Sequence, residues 1–125
     1  MGKRKKYTPK NFESSKPKDI SCNLYASMLQ SPAYMGLTTR QKVLYQYMKL
    51  QLYGAKQIEG QPVEAFYFNA GMAVGKNSTY NLYSKRDSFY GDIKQLVAAG
   101  FIEVAECGRF TRTKNVYVLS SKWAN

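Results

Sequence analysis

Arg109, Arg112 and Lys114 fall within six residues of one another, interleaved with the hydroxyls of Thr111 and Thr113 and with no acid between them. Such groups displace counterions from phosphates and donate hydrogen bonds to phosphate oxygens. Three cations this close repel one another unless water or an anionic partner surrounds them. A second set of donors, Lys85, Arg86 and Ser88 with the ring of Tyr90 beside them, lies about a helix length upstream. Charge at phosphates and donors at base edges are the two requirements for holding a DNA duplex.

The elements that must position these groups are legible around them. From residue 84 to Gly100, the recurrence of Phe89, Ile93, Leu96 and Val97 at helical spacing predicts an amphipathic helix. Ser84 with Asp87 three residues on fits a capping box, and Asp87 is the alternative cap. Gly100 suits the positive φ that ends a helix. With Phe89, Ile93 and Leu96 inward, Lys85, Ser88, Asp92 and Gln95 turn outward, and Arg86 and Tyr90 lie on the flanks. Phe101, Ile102 and Val104 then read as a strand and residues 116–119 as its partner. The basic run 108–115 becomes a hairpin tip, with Glu103 and Glu106 on the stem. Trp123 is expected to cover the core.

Upstream, residues 21–30 predict a short helix capped by Ser21, with Leu24, Tyr25, Met28 and Leu29 inward, broken by Ser31-Pro32. Thr38 and Thr39 are cap candidates for a longer helix, residues 40–53. It buries Val43, Leu44, Tyr47, Met48, Leu50 and Leu52, leaves Arg40, Lys42, Gln46 and Lys49 to water, and ends at Gly54. Residues 54–64 read as a loop and 65–68 as a short aromatic strand. Asn69 is a cap for a short helix through Met72, Ala73 and Val74. The stretch to Tyr83 is then either a long turn or holds a further helical piece, since a usual helix-turn-helix spends only about 3–4 residues there.

Composition narrows the chemistry. The chain of 125 residues carries a net charge of +11 and a pI near 9.7, which points to an anionic partner. One domain, residues 21–125, is expected, burying roughly 60–65% of its unfolded surface. Residues 1–20 carry seven cations, including Lys3, Arg4, Lys5 and Lys6, against Glu13 and Asp19, and read as a flexible basic arm. No apolar run reaches the ~20 residues of a membrane span, and the basic start is not followed by an apolar signal segment. The expectation is a soluble protein of the cytoplasm with no membrane partner. Cys22 and Cys107 stand alone in sequence and are expected as free, partly buried thiols.

Histidine is absent, so Ser-His and Cys-His nucleophile pairs cannot be built, and a zinc site would have to combine two scattered cysteines with carboxylates. Residues 71–76, Gly-Met-Ala-Val-Gly-Lys, lack the spacing of a phosphate-binding loop. No catalytic residue, metal or cofactor is expected, and the chain reads as non-enzymatic.

The run Ser31-Pro32-Ala33-Tyr34, then Leu37-Thr38, the helix with Lys42, Leu44 and Tyr45, and the later strand, helix and Gly100-Phe101-Ile102 carry a resemblance. This order is similar to the N-terminal winged-helix domain of plasmid replication initiators of the replication initiator A type. It also resembles small helix-turn-helix proteins carried on plasmids and integrative elements of Gram-positive bacteria. The resemblance implies an α+β fold, mainly α, in which a helix-turn-helix is followed by a C-terminal β-hairpin wing. It implies double-stranded DNA as partner, in replication initiation or transcription control of a mobile element. Helix contacts would fall on Lys85, Arg86 and Ser88, and wing contacts on Arg109, Arg112 and Lys114.

Two other readings stay open. The same fold could dock a replication or conjugation protein, with the charge only solubilising. Alternatively, exposed rings at Tyr7, Phe12, Tyr90 and Phe110 could stack on the bases of a single strand. Winged helices often pair, and residues 21–30 are a plausible homodimer contact.

Overall fold

Thr38 and Gln41 open the longest helix with a reciprocal capping box. The Thr38 hydroxyl accepts from the Gln41 N–H at 3.2 Å, and the Gln41 side-chain oxygen accepts from the Thr38 N–H at 3.0 Å. In the computed structural model, which describes residues 8–106 and 115–124, this helix is the third element. It follows α1 (Ala26–Leu29) and α2 (Pro32–Met35) and is itself α3 (Thr39–Gly54). Then come β1 (Ala65–Tyr67), α4 (Ala70–Ala73), α5 (Arg86–Ala98), β2 (Ile102–Glu106), β3 (Val116–Leu119) and a 3-10 turn at Lys122–Ala124. The three strands form one antiparallel sheet in the order β1-β3-β2, so the last strand is central. The class is α+β. Among the described residues, no helix is long and apolar enough to cross a membrane.

The core lies where α3, α5 and the sheet meet. Leu44 and Met48 of α3, Phe89, Ile93 and Leu96 of α5, and Phe66, Ile102 and Tyr117 of the sheet are all buried, joined by Phe68 and Phe101. Burying a large apolar side chain contributes about 1.5–3 kcal/mol, so this set outweighs the weak intrinsic preference of the strands. Two aromatic stacks organise it. Phe68 lies between Tyr80 and Phe89, with ring centroids 5.8 and 6.1 Å apart. On the other side Tyr34, Tyr45 and Phe101 pack edge to face, and Trp123 stacks on Phe101 at 6.0 Å, covering the core as the sequence suggests.

Several boundaries differ from expectation for identifiable reasons. The first helix is a single turn, because residues 21–25 form no helix and Tyr25 is extended; Leu24 and Tyr25 are exposed, and only Met28 of the turn is buried. Lys49 holds this run instead of facing water, donating to the Asn23 carbonyl at 2.6 Å and lying over the Tyr25 ring. Ser31-Pro32 ends α1 but also starts α2, with Ser31 accepting from the Tyr34 N–H and Pro32 in the first helical position, where its missing N–H costs nothing. On α3, Tyr45 is buried and Tyr47 only half-buried, because Tyr45 points at Tyr34 and Phe101. Lys42 and Gln46 both serve Tyr34, the first over its ring and the second bonded to its hydroxyl.

The end of α5 follows the sequence closely. Gly100 has φ +86, its N–H donates to the Val97 carbonyl at 3.1 Å, and the Phe101 N–H donates to Leu96 at 3.0 Å, which together form a Schellman closure. A methyl group on Gly100 would stand 2.7–2.9 Å from backbone and Cβ atoms of Lys122 and Trp123. Gly91, in the middle of the same helix, has open space where its Cβ would be.

The two glycines therefore predict opposite outcomes. Gly100→Ala should destabilise by more than about 2 kcal/mol, through left-handed strain and the close backbone. Gly91→Ala should stabilise by roughly 0.5–1 kcal/mol. Urea unfolding of both variants beside the parent checks the pair.

Candidate nucleic-acid interface

The backbone leading into α5 is fixed before the helix begins. Residues 74–85 form a closed loop in which Val74 and Tyr83 bridge as parallel partners. Ala73 accepts from the N–H groups of both Leu82 and Tyr83, and Met72 accepts from Tyr80. Gly75 and Asn81 take positive φ at its corners, +103 and +45. Ser78 ties them, its hydroxyl donating to the Gly75 carbonyl and accepting from the Asn81 N–H. The connection between α4 and α5 is thus a long turn without a further helix, and it feeds Lys85 into α5 in a set direction.

Lys85 is the N-cap residue of α5, extended and exposed, and Arg86 is the first helical residue, also exposed. Neither Ser84 nor Asp87 caps the helix with its side chain, in contrast to the capping box expected. Asp87 lies in the first turn, where its charge faces the positive end of the helix dipole. Ser88 is half-buried, and Tyr90 sits edge-on to Phe89 at 5.2 Å with part of its ring exposed. Among the described residues, Lys85 and Arg86 make no salt bridge, so neither charge is neutralised. Val97, expected inward, is more than a third exposed, because it lies beyond the edge of the Phe89–Ile93–Leu96 row. Of the rings expected to be free for stacking, Phe12 is largely exposed and Tyr90 partly so. Arg109, Thr111, Arg112, Lys114, Phe110, Cys107, Tyr7, Lys3, Arg4, Lys5 and Lys6 lie outside the described residues. Cys22 carries a free, half-buried thiol, and burial pushes its pKa up.

The largest departure is Asp92, expected to turn outward beside the Phe89–Ile93–Leu96 row and found buried instead. Its Oδ2 accepts from the Tyr83 hydroxyl at 2.6 Å and from Arg40 Nε at 3.0 Å, and its Oδ1 accepts from Gln41 Nε2 at 3.0 Å. The Arg40 guanidinium also covers the Tyr83 ring, 4.7 Å from its centroid. Burial alone would raise the Asp92 pKa. The hydrogen bonds from Tyr83, Gln41 and Arg40, with the Arg40 charge, outweigh it and hold the carboxyl below its usual range. Burial and then the adjacent carboxylate push the Tyr83 phenol well up. A signal for this was present. Position 92 is three residues after Phe89 and four before Leu96, so it borders the buried row and is near enough to be covered by a neighbouring element.

Arg40 was likewise expected in water, yet it joins α3 to α5. Lys85, Ser88 and Gln95 share a helical row with Asp92, at seven and four residues before it and three after. The pairing therefore brings an α3 guanidinium to the row that begins at the helix entrance. No family model matches the chain, and neither a curated protein nor a solved structure matches it.

Two measurements test the lock. Tyr83→Phe removes a charge-assisted donor and should cost about 1.5–3 kcal/mol in denaturant unfolding. Because the folded pKa of Asp92 is depressed, its stabilisation is complete above the unfolded carboxylate value of about 3.9 and is lost as pH falls through the lower folded value. Asp92→Asn should therefore flatten the acid limb of stability below about pH 4, read from unfolding curves at successive pH values.

Proposed function

We propose that the chain is a winged helix-turn-helix protein that binds double-stranded DNA, with α5 entering the major groove from its N-terminal end and the β2–β3 connection meeting the flanking backbone. The observation that carries this reading is the succession α3, β1, α4, α5, β2, β3 with strand order β1-β3-β2. It joins the helix whose entrance exposes Lys85 and Arg86 to an antiparallel strand pair whose connection contains Arg109, Arg112 and Lys114 in sequence. The net charge of +11 supports a polyanionic partner. The protein acts by binding, without a catalytic step or cofactor. Its setting, from the resemblance of its sequence, is replication initiation or transcription control of a plasmid or integrative element in a bacterial cytoplasm.

A second reading, stacking on a single strand, has the exposed rings of Phe12 and Tyr90 in its favour among the described residues. A titration by fluorescence anisotropy separates the readings. Log affinity for a mixed-sequence duplex should fall steeply with log salt. Changing Arg109, Arg112 and Lys114 together to Gln should reduce the slope by about 0.9 for each lost contact, roughly 2.7 in all. An unchanged slope would remove the β2–β3 connection from the interface. Tighter binding to one strand than to the duplex would favour stacking, and no binding to either at low salt would leave a protein partner.

A further inference from the structure

Arg40 sits on α3, yet its side chain belongs to the surface of α5. Its Nε donates to Asp92 Oδ2, and its plane lies over Tyr83, so the guanidinium is held from two directions. Asp92 in turn is flanked along its helical row by Ser88 and Gln95, and Lys85 opens the row. Nearly half of the Arg40 side chain, 48%, faces water. A guanidinium has five donors in a planar fork, and the carboxylate takes Nε, so donors remain for a second acceptor on the exposed side.

We infer, on the reading that the chain binds duplex DNA, that Arg40 is a further contact to a backbone phosphate, positioned for it by Asp92 and Tyr83. Holding the fork in place beforehand removes much of the rotamer freedom that a free arginine loses on binding. A purely structural role explains less. The bond to Asp92 uses only Nε, and nearly half of the side chain still faces water, so a structural role leaves the outer part of the fork unused. The pair also differs from a generic cationic patch, because one partner is a buried acid.

That acid gives the test its direction. Asp92→Asn raises the net charge by one, so diffuse electrostatics alone predicts tighter binding to DNA. A positioned fork predicts weaker binding. Affinity for a mixed-sequence duplex would be measured across a salt series for the parent, Arg40→Gln, Arg40→Lys and Asp92→Asn, with thermal melts confirming that each is folded at the assay temperature. Arg40→Gln should bind about tenfold more weakly at low salt and lower the salt slope by about 1. Arg40→Lys keeps the charge but not the planar fork, and should fall between Arg40→Gln and the parent. Asp92→Asn should bind more weakly than the parent despite its added charge.

If the parent binds and Arg40→Gln matches it in affinity and slope, the inference is overturned while the duplex reading stands. Arg40→Lys equal to the parent, or Asp92→Asn tighter than the parent, would overturn the positioned fork. Failure of the parent to bind duplex DNA at low salt would overturn both readings together. Because Arg40 is half-exposed, its two variants keep the question answerable even if Asp92→Asn is unfolded.

Discussion

A single carboxylate, that of Asp92, is bonded by three side chains from two other parts of the chain: Gln41 and Arg40 from the start of α3, and Tyr83 from the loop before α5. Removing a charge from water costs several kcal/mol, and in a protein interior the cost is met only if nearly every lone pair finds a donor. Here the donors come from residues 51 and 52 positions away in sequence as well as from one 9 positions away. The arrangement therefore exists only when α3, α5 and the intervening loop are all in place. Gln41 makes the coupling tighter. Its amide oxygen serves the Thr38 N–H at the start of α3 while its nitrogen serves Asp92, so the beginning of one helix and the seating of the other share one side chain.

The two ends of α5 are set by different means. At its entrance no side chain caps the helix; the direction comes from the bonded loop 74–85, with its paired Val74 and Tyr83. At its exit the Schellman closure at Gly100 turns the chain directly into β2, and the Trp123 N–H donates to the Gly100 carbonyl at 3.0 Å. Among the described residues the two exposed cations at the entrance make no ion pair, whereas the exit is closed by backbone bonds and aromatic packing. A helix fixed at its rear and along its buried side, with a solvated front, can present its first turn without losing its orientation.

The sequence was most informative where one physical effect dominates. The apolar row of α5, the glycine at its end, the Thr38 cap, the strand pair and the Trp123 lid all follow from hydrophobic period and backbone sterics, and the structure holds each of them. It was least informative where polar groups work at long range. Asp92, Arg40, Lys42, Gln46 and Lys49 all look like members of a solvated face, yet each meets a residue of another element or segment, Lys42 and Gln46 at Tyr34 and the others farther along the chain. Local pattern cannot name such partners, because their worth depends on which distant residue the fold brings within 3 Å. The loop 74–85 was illegible for a related reason. Its bonds run between backbone groups and leave little trace in residue type beyond Gly75, Ser78 and Asn81. The basic residues of the β2–β3 connection were the clearest candidates in the sequence; they lie outside the described residues, and Lys85 and Arg86 are the part of that reading with a structural setting.

The strand order has a mechanical consequence. With β3 in the middle, both neighbours bond to it antiparallel, and the bonds run across the strands. A force pulling the β2–β3 connection outward along the strand direction would load the β1–β3 ladder in shear, all its bonds at once. Peeling them one at a time would need a force in a different direction. Through Phe101 and Gly100 the same load reaches the rear of α5, where the backbone bonds of Gly100, Phe101 and Trp123 would bear it.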